Sequence, residues 1–137
     1  MEILDSYITS PPSKQNVLDI FKGECASKLP DKFGTLEAGQ ITLFNDARMN
    51  WCSKRVGGIK DKTVLELGLL EAGHTYMLEN LGAASIVVVA NTRAYFNCLI
   101  VQEILDLKRT KFICGNCVEY LRNVAEKFDV CIPSGVL

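Results

Sequence analysis

From Ile59 onward, short runs of nearly unbroken apolar residues alternate with longer stretches whose apolar positions recur at helical spacing. Residues 63–67, Thr-Val-Leu-Glu-Leu, form the first run and read as a strand covered on both faces. A loop follows, then a helix over about 73–81 closed by Gly82. Residues 85–89 are the strongest strand in the chain, because Ile86, Val87, Val88 and Val89 are consecutive β-branched residues that favour extended backbone. A second helix spans 92–107, with Tyr95, Cys98, Leu99, Gln102 and Leu105 on its expected inner stripe. A strand at 111–114, a helix at 116–125 and a strand at 128–132 complete the series. Strands alternating with helices imply an α/β domain with a parallel sheet and right-handed crossovers.

The pattern is weaker upstream. Residues 1–13 end in Ser10-Pro11-Pro12-Ser13 and read as a loosely held arm; 14–22 read as a short helix and 23–42 as loop. Asn45 or Asp46 can cap a helix through Arg55, with Met49, Trp51 and Cys52 among its buried candidates and Gly57-Gly58 as its stop. The division is therefore an N-terminal arm, short helix and loop over 1–42, and a Rossmann-like domain over 43–137.

Composition narrows the function classes. The chain has 137 residues, 48% of them hydrophobic, enough for a packed core in one modest domain. Its net charge of −1 supports no broad basic face for nucleic acid. Lys108, Arg109 and Lys111 read as a solvated loop rather than a binding patch. The first residues lack the cationic and apolar segments of a signal peptide, and no apolar stretch reaches the ~20 residues of a membrane span. Six cysteines without a secretion signal suggest reduced thiols and a cytoplasmic protein.

The loop after the first strand carries the chemistry. Glu66 ends the strand, Gly68 lies in the turn and Gly73 opens the helix. Glycine permits a tight turn and close approach of a ligand, and a helix start offers free N–H groups. The spacing is not G-x-G-x-x-G, since Leu70 stands where a middle glycine would be. A carboxylate two residues before Gly68 would repel a pyrophosphate but suits a cofactor with an ammonium group and a sulfonium.

The run VLELG followed by EAGHT, then a strand, ANTRAY and a helix, resembles the class I S-adenosylmethionine-dependent methyltransferases. The resemblance extends through KFICGNCVEYL and FDVCIPSGVL, covering about residues 44–137. It implies a Rossmann-like sheet of order 3-2-1-4, S-adenosylmethionine as cofactor, and Glu66, Gly68 and Gly73 at the methionine end. It also implies that Asn91, after the second strand, faces the ribose, that Asn116 stands near the adenine and that Ser134 lines the crevice beyond the fourth strand. In the family, acids usually occupy the second-strand and Gly-Asp positions; here both are neutral. An Asn-Pro-Pro-aromatic signature is absent, which points to a small molecule or other non-nucleobase acceptor. The family sheet has seven strands and this sequence supplies four. The chain therefore reads as an N-terminal portion whose fourth strand is an open edge, available for self-association or a partner.

Other constellations are weaker. Cys114-Gly115-Asn116-Cys117 has C-x-x-C spacing, but no second pair completes a zinc site, and its place after the third strand differs from the thioredoxin arrangement. His74, the single histidine, reads as packing or capping the helix start, and Trp51 and Tyr95 as core. A decayed, non-catalytic module that pairs through its fourth strand is the alternative function. A nicotinamide or flavin oxidoreductase is disfavoured by the missing middle glycine and ribose acid.

Overall fold

The computed structural model describes residues 7–20, 22, 28–37, 39, 43–68 and 72–133. Ser134 and loop residues 69–71 therefore lie outside the described residues. Four strands, β1 (Thr63–Leu67), β2 (Ser85–Ala90), β3 (Thr110–Cys114) and β4 (Val130–Ile132), form one sheet in the order β3-β2-β1-β4. All three pairings are parallel, as expected from the alternating pattern.

Among the described residues five α-helices accompany it: α1 (Lys14–Asp19), α2 (Ala47–Arg55), α3 (Gly73–Asn80), α4 (Thr92–Leu105) and α5 (Cys117–Asn123). Side chains on a strand alternate between faces, so Val64 and Leu65 serve different layers. Val64, Ile86, Val88 and Phe112 join Met77 and Leu78 of α3 and Cys98, Val101 and Ile104 of α4 in the main core. Leu65, Leu67 and Val89 face the other way, against Cys117 and Tyr120 of α5. Upstream of the sheet, Leu18 and Leu29 are buried in the main core.

Local chemistry sets the element ends. Ser13 caps α1 by accepting from the Asn16 N–H at 3.1 Å, and the helix ends at Asp19 rather than at 22. Asp46, not Asn45, caps α2. α4 stops at Leu105 because Asp106 turns into the left-handed region at φ 57°. β4 begins at Val130, not 128, because Asp129 is spent anchoring the strand: its Oδ2 accepts from the Thr63 N–H at 2.9 Å. No described helix is long and apolar enough to cross a membrane.

Two burial expectations are corrected. Trp51 is 64% exposed, although α2 does bury Met49. Residues two apart on a helix point to nearly opposite sides, so burying Met49 turns Trp51 outward. The inner face of α4 is Ala94, Asn97, Cys98, Val101, Ile104 and Leu105, while Leu99 is exposed. The helix is apolar on more than one stripe, so spacing alone could not orient it. The basic residues 108 and 109 are tied down locally: Lys108 pairs with Asp106, and Arg109 donates to the Glu79 carbonyl.

Candidate cofactor site and adjoining cleft

Period-two alternation places Glu66 on the same face of β1 as Val64, beneath α3. Its side chain is completely buried, and Oε1 accepts from the Thr75 hydroxyl at 2.6 Å. Oε2 has no hydrogen-bond partner among the described residues. A buried carboxylate oxygen left unpaired is costly and marks a place built for a donor. Past the strand, Gly68 adopts φ 66° and donates its N–H to the Val89 carbonyl at 3.1 Å. That left-handed turn is the conformation for which glycine is suited. Ala72, also buried, takes φ 60° just before Gly73 opens α3. A left-handed alanine costs roughly 1–2 kcal/mol, so the loop holds a strained backbone position beside the helix start.

Burial pushes the Glu66 carboxyl above its ordinary range, opposed by the Thr75 hydroxyl and by the nearby His74. The Arg48 guanidinium holds Asp46 well below the carboxylate range, aided by His74 and opposed by partial desolvation. The two groups act with opposite sign. Stability linked to Glu66 is complete below the ordinary glutamate range and is lost as pH rises towards its elevated folded value. Stability linked to Asp46 is present above the ordinary aspartate range and is lost as pH falls. Urea midpoints measured between about pH 3 and 8 should therefore peak on the acid side of neutrality, and Glu66→Gln should abolish the decline above the peak. A decline of unchanged steepness in Glu66→Gln would assign it to another group.

Of the remaining expected site residues, Asn91 and Asn116 stand at the same end of the sheet, each just past a strand. Asn91 follows β2 and caps α4, its Oδ1 accepting from the Ala94 N–H at 3.0 Å. Asn116 follows β3 and caps α5, its Oδ1 accepting from the Val118 and Glu119 N–H groups. Both amide oxygens are thus engaged, while neither Nδ2 has a partner among the described residues. Cys114 is exposed and Cys117 packs against the Leu65–Val89 layer; Cys52, Cys114, Cys117 and Cys131 carry free thiols. Among the described residues, no group of three or more His, Cys, Asp or Glu could hold a metal ion.

A second cluster lies beside Glu66 and was not anticipated as a unit. Asp46 Oδ2 accepts from His74 Nε2 at 2.9 Å and from Arg48 at 2.6 Å, and its backbone N–H reaches Met77 Sδ at 3.1 Å. With Asp46 ionised, Nε2 must carry the donated proton. The cluster fastens the start of α2 to α3. It also forms one wall of an open cleft of about 530 Å³, lined by Arg48, Met49, Trp51 and Cys52 of α2, by His74 and by Ile132 of β4. Ile132 is the register partner of Glu66, so the cleft adjoins the carboxyl end of β1 across one strand spacing. The sequence signal for this arrangement was thin: His74 follows Gly73 directly, and Asp46 stands at the predicted cap.

No protein-family model and no curated protein matches the chain. Its structure does resemble solved ones. The Trypanosoma brucei PRMT1 enzyme-prozyme heterotetrameric complex with AdoHcy is similar at 24% identity and TM-score 0.52, over 64% of this chain and 28% of that one. A putative RNA methyltransferase from Pyrococcus horikoshii is similar at 20% identity and TM-score 0.51, over 62% and 41% of the two chains. Coclaurine N-methyltransferase bound to N-methylheliamine and SAH is similar at 13% identity and TM-score 0.55, over 86% and 39%. The chain thus spans less than half the length of each of these three structures. Strand order, parallel pairing and these likenesses agree: the chain has the Rossmann-like methyltransferase fold through its fourth strand.

Proposed function

We propose that this chain is the cofactor-binding portion of an S-adenosylmethionine-dependent methyltransferase acting on a small-molecule or other non-nucleobase acceptor. The observation that carries the reading is the unpaired Oε2 of the buried Glu66, at the strand end where a cationic cofactor group would be held. An ammonium donor there would satisfy the orphaned oxygen and offset the cost of ionising the carboxyl. Gly68 and Gly73 shape the loop, and the Nδ2 groups of Asn91 and Asn116 are donors that a ribose hydroxyl or an adenine ring nitrogen can accept from. When bound, the cofactor supplies an already activated methyl group, so the chain contributes positioning rather than acid–base chemistry. Two of the similar structures hold AdoHcy or SAH, which supports the same cofactor class.

Because a bound ammonium favours ionised Glu66, binding should release a proton. Calorimetric titration of the chain with S-adenosylhomocysteine, in two buffers of different ionisation enthalpy, should give saturable heat that differs between the buffers. No saturable binding at roughly millimolar ligand would sink the reading.

A second reading rests on β4, which pairs only with β1 among the described residues and exposes Cys131. A non-catalytic module could recruit a partner strand to that edge. Sedimentation as a 15.2 kDa monomer that binds S-adenosylhomocysteine would count against it.

A further inference from the structure

The cleft beside the carboxyl end of β1 combines an apolar wall with an exposed aromatic ring. Its walls are mainly apolar, from Met49, Trp51, Cys52 and Ile132. Trp51 is the chain's one tryptophan and is 64% exposed, although a helix of nine residues has ample polar positions for its outer side. The Arg55 guanidinium lies over the indole at 5.6 Å, and Arg48 lines the cleft with its charge directed to Asp46. A flat ring meeting this wall would stack on the indole, whereas a cation would be repelled by the Arg55 guanidinium already seated over that ring. The volume of about 530 Å³ lies in the range of small-molecule sites. Position matters equally: Ile132 is paired in register with Glu66, and His74 joins the cleft to the helix that bonds Glu66 through Thr75.

We infer that the cleft is the acceptor subsite and that Trp51 is its stacking platform, selecting a planar aromatic acceptor without positive charge. The inference rests on the methyltransferase reading for the word acceptor, but the cleft's ligand preference can be measured independently of the cofactor. Trp51 contributes a single indole N–H resonance, which gives a local probe. Titration of the chain with quinoline at neutral pH should shift that resonance saturably. Saturation-transfer measurements should show quinoline affinity reduced roughly 5- to 100-fold in Trp51→Ala and largely retained in Trp51→Phe. N-methylquinolinium should bind more weakly than quinoline. Because Trp51 is exposed, Trp51→Ala should keep the folded spectrum elsewhere.

A linear, non-saturating shift would overturn the inference, as would unchanged quinoline affinity in Trp51→Ala or tighter binding of the cationic probe. If S-adenosylhomocysteine binds and quinoline does not, the acceptor subsite fails and the cofactor reading stands. If quinoline binds at Trp51 and S-adenosylhomocysteine does not, the aromatic site stands and its assignment to methyl transfer fails.

Discussion

Glu66→Ala should weaken S-adenosylhomocysteine binding by roughly 10- to 100-fold, whereas Cys117→Ala should change it by less than about threefold. The contrast follows from where each side chain lies. Glu66 is fully buried at the end of β1 with one carboxylate oxygen bonded to Thr75 and the other unpaired. A charge-assisted bond to a buried carboxylate is worth about 1.5–3 kcal/mol, and alanine removes it entirely. Cys117 instead packs against Leu65, Leu67 and Val89 on the opposite face of the sheet, where it serves the layer beneath α5. Calorimetry on both variants checks the ordering, with circular dichroism confirming that each is folded. A larger loss in Cys117→Ala would move the site to the thiols after β3. Glu66→Ala also removes a buried ionisable group, so it should not lower the urea midpoint at neutral pH as much as an equal loss of apolar volume would.

The largest effect on stability belongs to the layer between sheet and helices. Leu78→Ala should destabilise the chain by about 2–5 kcal/mol, read as a lowered urea midpoint with an unchanged slope. Leu78 is completely buried on α3, in one cluster with Val64, Ile86, Val88 and Cys98. Truncation there removes apolar contacts and leaves a cavity bounded by β-branched strand residues that have little freedom to collapse inward. For comparison, Leu121→Ala on α5 should cost well under 1 kcal/mol, since Leu121 is 46% exposed. Equal losses at the two positions would mean that the α5 face is covered in solution by something other than water.

How far the sequence alone could be read depended on the kind of interaction involved. Strand identity was legible because it is local: the run from Ile86 to Val89 favours extended backbone whatever surrounds it, and β1 and β2 stand within a residue of their expected bounds. The order β3-β2-β1-β4 was legible through the resemblance, and Glu66 stood out as an acid inside an apolar strand. Helix ends were less so, because they turn on single backbone conformations such as the left-handed Asp106.

Sequence by itself thus determined the strand–loop–helix–strand unit around residues 63–91, its parallel sheet and the acid ahead of Gly68. Only the tertiary structure decided which stripe of α4 turns inward, that Trp51 lines a cleft instead of the core, and that Asp46 meets His74 across 28 residues of chain. It also decided that Glu66 keeps one oxygen unpaired and that Asn91 and Asn116 commit their oxygens to helix caps. The reason is physical. Secondary structure follows from backbone preferences and apolar spacing within a few residues, whereas a site is made where distant segments converge. Which side chains then share a hydrogen bond, and which is left without one, depends on packing that no local pattern encodes.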